Sequence, residues 1–329
     1  MYMQRSTNTD FQRKQTKNTI DCKKLTDIRG FEFTPNMMMK DFVKQFHHLG
    51  YQASNLSQGV EVIQEMVEDK CDVYVSVSSN ISASGLRDML AQLIRDKKIS
   101  CLIVPANLID EDIMKTFSTF KLGEFDTSEE ETSANKITRV GNVFIPDEHY
   151  LKFEGWHHEL MQTIHKENKN WTAHEYVKRL GMKLKDENSI LYWAAKRGVN
   201  IFITDLSSGT MEKHWNTFNQ SKKGTEKLTV DNAISLKALK EQLSTSAKKG
   251  GLILGGDVSK NILLKEALVH GGLDYAIFVN TGILHDGSLN VTRSKETALW
   301  DMLKNKKNIV HVECETTIAL PLLMTGFYS

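Results

Sequence analysis

Asp72-Val73-Tyr74-Val75-Ser76-Val77 and Ser100-Cys101-Leu102-Ile103-Val104, separated by a helical stretch from about Ser84 to Lys97, are the residues from which the fold can be read. Both runs are short, rich in β-branched residues and mostly apolar, as expected of strands buried on both faces. Strand, helix, strand in that order is the unit of a parallel sheet, because parallel neighbours need a long crossover. Outward from this unit, similar runs recur at Val199 to Ile203, Leu252 to Leu254, Asp274 to Val279 and Ile309 to Val312. Thr172 with Glu175 is a capping-box pattern that opens a helix to about Lys185. A helix from Asp231 to Lys249 is expected to end on Gly250-Gly251 as a C-cap. Another helix fits Glu148–Lys166, and Asp126 to Lys136, rich in Glu, Ser and Thr, reads as an exposed loop. The expectation is a doubly wound, mainly parallel Rossmann-like α/β fold with additional helices, and no internal repeat is visible.

The composition narrows the function classes. The 329 residues are 40% hydrophobic and 25% charged, enough to bury a sizeable core. A net charge of +1 supplies no field to steer a polyanion, which argues against nucleic acid as a partner. The longest apolar run, Cys101 to Ile109, is broken by Pro105 and Asn107 and reads as a buried strand followed by a turn. It is too short to span a bilayer. Cys22, Cys71, Cys101 and Cys314 form no C-x-x-C pair, so neither a zinc site nor a disulfide framework is indicated. His47-His48 and His157-His158 are adjacent pairs without the i, i+4 spacing of helical metal ligands, and no metal is expected. Residues 1–26 carry six Lys/Arg against two acids. Asp10, Asp21 and the scarcity of apolar residues spoil an amphipathic transit peptide, so the segment reads as a disordered basic arm and the location as cytoplasmic.

In doubly wound folds ligands bind beyond the carboxyl ends of the strands. Here those ends read Ser78-Ser79-Asn80, Ala106-Asn107, Thr204-Asp205, Gly255-Gly256-Asp257, Asn280-Thr281 and Glu315-Thr316. Six small or polar strand ends fit a nucleotide-sized crevice, although the same residue types also serve as helix N-caps.

The order and separation of several short motifs carry a resemblance. They include Ile28-Arg29-Gly30-Phe31, Leu122-Gly123-Glu124-Phe125, Arg139-Val140-Gly141-Asn142, Tyr192-Trp193-Ala194, Leu254-Gly255-Gly256, Asp274-Tyr275-Ala276 and Pro321-Leu322-Leu323. The chain resembles the deoxyhypusine synthase family from about Ile28 to Phe327. That family uses NAD to move an aminobutyl group from spermidine onto a lysine of a translation factor. The resemblance implies one NAD-binding α/β domain over residues 27–329. It implies cofactor contacts from Ser79, Asn80, Glu111, Thr281, Asp286 and, in place of an aspartate at the ribose, Glu315. Gly287, Glu296 and Trp300 match the substrate pocket.

Other matched positions have changed chemistry. The lysine that forms the family's imine intermediate is Met302, and a thioether forms no imine. The nicotinamide-side histidine is Asn261, whose amide takes no proton near neutral pH. The aspartate that receives the polyamine is Lys213, which reverses a Coulomb interaction worth about 1–4 kcal/mol at contact. An aspartate in a Thr-Asp-Gly turn is Ser208, and a third glycine after Gly255-Gly256 is Asp257, whose carboxylate opposes phosphate. Lys304 would point about 200° away from the missing lysine on a continuing helix.

Nucleophile, base and substrate anchor are thus all altered. The family assembles as tetramers with shared sites, and in kinetoplastid parasites it occurs as active and degenerate paralogues that assemble together. This sequence resembles the degenerate kind, which implies an inactive regulatory subunit in a heterotetramer with a lysine-bearing paralogue and NAD at the shared interface. Two other readings stand beside it: an NAD-binding module without transfer chemistry, and an active transferase with a substitute nucleophile.

Overall fold

The computed structural model of the chain describes residues 22–282 and 308–329. Its described strands are, in chain order, β1 (Asp72–Val77), β2 (Cys101–Val104), β3 (Lys121–Leu122), β4 (Ile137–Val140), β5 (Val143–Pro146), β6 (Asn170–Thr172), β7 (Asn200–Ile203), β8 (Thr229–Asp231), β9 (Lys249–Leu254), β10 (Tyr275–Asn280) and β11 (Ile309–Glu313). Six of them form one sheet in the order β11-β10-β9-β1-β2-β7, and every neighbouring pair is parallel. The chain runs outward from β1 to one edge, returns, and runs outward from β9 to the other. That reversal between β1 and β9 makes the sheet doubly wound and leaves a crevice where the crossovers diverge.

The apolar runs become strands because both faces of the sheet are covered. Along β1, Val73, Val75 and Val77 join the larger apolar cluster while Tyr74 joins the smaller one. The smaller cluster is closed by Leu239 and Leu243 of the helix Asn232–Thr245 and by Leu263, Leu264 and Ala267 of the helix Asp257–Val269. The sequence-expected strands all appear, β1 with the expected bounds and the other five with bounds shifted by one to three residues. The crossover helix is Leu86–Arg95, preceded by a tight turn at Ile81–Ala83, and the additional helix is Glu148–Glu167. Thr172 and Glu175 meet at 2.6 Å and open the helix Ala173–Gly181.

Three local expectations are corrected. Gly250 and Gly251 are not a helix cap: the helix stops at Thr245, and both glycines lie inside β9. A Cβ on Gly250 would stand 2.8 Å from Met66 Sδ, and one on Gly251 would stand 2.7 Å from Leu273 Cδ1, so glycine at both lets these side chains pack closely onto the sheet without shifting. After β2 the chain does not turn but enters the helix Ala106–Phe117 directly, with Pro105 as its N-cap residue. Within Asp126–Lys136, Glu129–Ala134 is helical because Ser128 and Glu131 form a capping box of their own.

β3, β5 and β4 make a small antiparallel sheet, and β6 pairs with β8. Of the expected basic arm, residues 1–21 lie outside the described residues, and Cys22–Lys24 form an exposed single turn. None of the described helices is long and apolar enough to cross a membrane.

Candidate functional site

The carboxyl ends of β1, β9, β10 and β11 surround a crevice of about 510 Å³, within the usual range for small-molecule sites. Gly255 enters it with φ +82°, and a Cβ there would overlap the Ser78 hydroxyl, so only glycine lets the β1 and β9 ends meet. Asn80 is left-handed at φ 66°, a conformation asparagine tolerates better than most residues. Its Oδ1 accepts from Asn107 Nδ2 at 3.0 Å, tying the end of β1 to the start of the helix Ala106–Phe117.

Of the residues matched to cofactor contacts, Ser79, Asn80, Thr281 and Glu315 line the crevice. Glu111 stands behind it, 5% exposed, bonded to Ser82 Oγ and, at 3.3 Å, to Asn107 Nδ2. Burial raises its pKa, and those hydrogen bonds partly oppose the rise. Glu315 also turns back on its own helix, accepting from Thr317 N at 2.8 Å and from the Thr317 hydroxyl. One of its oxygens therefore serves as the N-cap of the helix Thr316–Leu323. Asp286, Gly287, Glu296, Trp300 and Met302 lie outside the described residues.

The expectation that all six strand ends share one crevice is corrected. Ala106-Asn107 and Thr204-Asp205, at the ends of β2 and β7, belong to a second cluster beside it. There Ser208 Oγ accepts from Ala106 N at 2.9 Å and satisfies an orphan amide of the helix Ala106–Phe117. Asp205 Oδ1 accepts from Ser208 N at 2.6 Å and holds the turn. Ser208 thus has a helix-capping role, while Lys213 is exposed on the helix Met211–Asn219 and Asn261 is half-buried on Asp257–Val269. Asp257 begins that helix with φ +74°, a strained setting for a residue with a side chain. It also places a carboxylate in the first helical turn, where the macrodipole favours it.

Two acids beside Glu111 were not singled out from the sequence. Asp110 is 2% exposed and accepts from Thr210 N and, at 2.9 Å, from Thr210 Oγ1; burial pushes its pKa up to about 7. Asp112 is fully buried, 2.7 Å from Arg87 Nε, and accepts from Ser189 Oγ, Ile190 N and Leu191 N. The signal was the run Asp110-Glu111-Asp112 itself, since three consecutive acids on a largely apolar helix need partners. Elsewhere His157 and His214 meet at 2.9 Å, and His157 lies 2.7 Å from the Tyr176 hydroxyl. Burial holds His157 down at about 3, so the pair is a neutral core contact.

The family model for deoxyhypusine synthase matches residues 41–327. The chain belongs to the deoxyhypusine synthase family. It is 29% identical to the deoxyhypusine synthase of Senecio vernalis, over 92% of this chain and 89% of that one. It is also 29% identical to the deoxyhypusine synthase of Caenorhabditis elegans, with the same 92% and 89% coverage. Among solved structures, a candidate deoxyhypusine synthase from Entamoeba histolytica superposes with a TM-score of 0.64 at 22% identity, covering 92% of this chain and 96% of that one. At that identity the superposition supports the fold alone. The deoxyhypusine synthase reaction is an NAD-dependent transfer of an aminobutyl group from spermidine to a lysine.

Proposed function

We propose that this chain is a deoxyhypusine synthase subunit that does not itself transfer the aminobutyl group, and that it assembles with a lysine-bearing paralogue and activates it. The observation that carries the reading is Met302, at the position matched to the imine-forming lysine. A thioether sulfur has no N–H to lose and forms no C=N bond with the aminobutyl carbon. Asn261 and Lys213 weaken the base and the amine anchor at the same time. The crevice nevertheless keeps Ser79, Asn80, Thr281 and Glu315 around a glycine-lined opening, which suits a subunit that still holds a nucleotide. These residues would hold NAD, which when bound supplies the hydride acceptor for the family's chemistry. The chain's own contribution is to bind the cofactor and to present its half of an interface, in a heterotetramer acting in the cytosol.

The test is transfer from labelled spermidine to the factor precursor with NAD present. It compares this chain alone, the lysine-bearing paralogue alone, and the co-purified pair. The pair is expected to turn over far faster than either chain alone. Turnover by this chain alone would overturn the reading and require another nucleophile. The preserved crevice favours a second reading, an NAD-binding module without a catalytic partner. Tight NAD binding by a chain that neither co-purifies with nor activates the paralogue would select it.

A further inference from the structure

A second cavity, of about 540 Å³, shares only Ser84 with the crevice and is otherwise built from different residues. Lys115, near the end of the helix Ala106–Phe117, lies on its wall. The Lys115 Nζ donates to Ser84 O at 2.6 Å and stands 5.2 Å from the centre of the Phe120 ring. Phe117, Leu122 and Val143 add apolar surface. The charged groups around the amine are Arg87 and Asp88 from the helix Leu86–Arg95, Glu111 and Asp112 from its own helix, and Asp186 and Lys121 at the cavity wall. The Arg87 guanidinium is itself fixed at 2.7 Å from both Asp112 and Asp186. Burial first, and the neighbouring Arg87 cation second, push the Lys115 ammonium down to about 8. Desolvation and an adjacent cation are the two standard ways of making a lysine amine nucleophilic.

We propose that this cavity binds small uncharged aldehydes and that Lys115 captures them as an imine. The neutral amine adds its lone pair to the carbonyl carbon, and an N–H proton passes to the carbonyl oxygen. The carbinolamine then loses water to leave a C=N bond, with no oxidant or reductant needed. The apolar flank suits a hydrocarbon substituent, and because Asp88 and Asp186 are balanced by Arg87 and Lys121 the wall offers an ionised substituent no net counter-charge. The inference is independent of the non-catalytic reading of the crevice, because an imine here transfers nothing to the factor.

The full chain is treated with benzaldehyde and cyanoborohydride over a range of pH, and each lysine is followed by peptide mass spectrometry. Near neutral pH, Lys115 should hold about 10²-fold more free amine than an ordinary lysine. Its benzylation is therefore expected to outrun that of exposed lysines by about tenfold or more, half-maximal near pH 8. Lys115→Met should abolish the fast label and leave the others unchanged. Labelling spread evenly over the lysines, or a Lys115 midpoint near 10 as for a free lysine, would overturn the proposal. Equal or faster labelling by glyoxylate would overturn the uncharged-aldehyde class. Should Lys115→Met fail to fold, the pH profile of the wild-type chain decides alone, since a merely structural lysine would show neither the fast label nor the lowered midpoint.

Discussion

Asp110 is a carboxyl group whose pKa burial pushes up to about 7, well above the ordinary carboxylate range, so that its neutral form persists in the fold almost to neutral pH. The unfolded chain releases that proton near pH 4, and the folded chain keeps it to about pH 7. In that window the native state binds the extra proton, so stability falls as pH rises and levels off above it. Asp110→Asn keeps an acceptor for Thr210 and removes the titration. It should raise stability at neutral pH by up to ~4 kcal/mol and flatten the slope between acid and neutral pH. Denaturant midpoints measured across pH would show this, and an unchanged slope would sink it. Asp257 is strained for a different reason, its positive φ, and Asp257→Gly trades relieved strain against a lost first-turn acid, each about 1 kcal/mol. Thermal stability should therefore change little while NAD binds about tenfold or more tightly, as calorimetric titration would measure. Unchanged affinity would absolve the carboxylate. Nothing in the letters around position 257 announced that backbone angle; what the sequence did offer was the departure from glycine.

Elements explain where the sequence was legible and where it misled. Buried parallel strands were readable because burial on both faces leaves a continuous apolar run, as in β1 and β2. Gly250-Gly251 misled because a helix cap and a close-packed strand both call for glycine, and only the third dimension shows Met66 and Leu273 pressing on them. The polar stretch after Asp126 hid a helix whose Ser128–Glu131 signature was legible but outweighed by composition. The same close-packing logic ranks two substitutions. Gly251→Ala meets the end of a leucine side chain, which can shift, at about 1–3 kcal/mol. Gly181→Ala meets the backbone carbonyl of Leu191 in the neighbouring helix Ile190–Arg197, which cannot. Urea denaturation should therefore show the larger loss for Gly181→Ala. The opposite order would mean the two helices separate readily.

At the scale of the molecule, the doubly wound order places the crevice between halves of the chain, and its two walls are far apart in sequence. The fold and the crevice wall were legible because the strand ends carry their own small polar residues. The division into one crevice and a Ser208-capped cluster was not, since it depends on how Asp205, Ser208 and Ala106 meet in space. If NAD sits at a shared interface, its effect on stability belongs to the assembly. At a hundredfold excess over Kd it should stabilise the mixed complex by about 2.7 kcal/mol and leave the isolated chain nearly unmoved. Differential scanning of both samples checks this, and an equal shift in each would place the whole site within one chain.

The pairing of β1 with β9 also has a history during synthesis. β1 ends at Val77 and its partner begins at Lys249, so about 170 residues must be made before that edge is covered. At the usual pace of translation, this is roughly 10–30 s. Until then β1, joined first by β2 and only late in that interval by β7 beyond it, exposes an apolar strand edge to any strand that passes. The residues that later shape the crevice are thus the last to be sheltered, and the half-made chain is the form most in need of a chaperone.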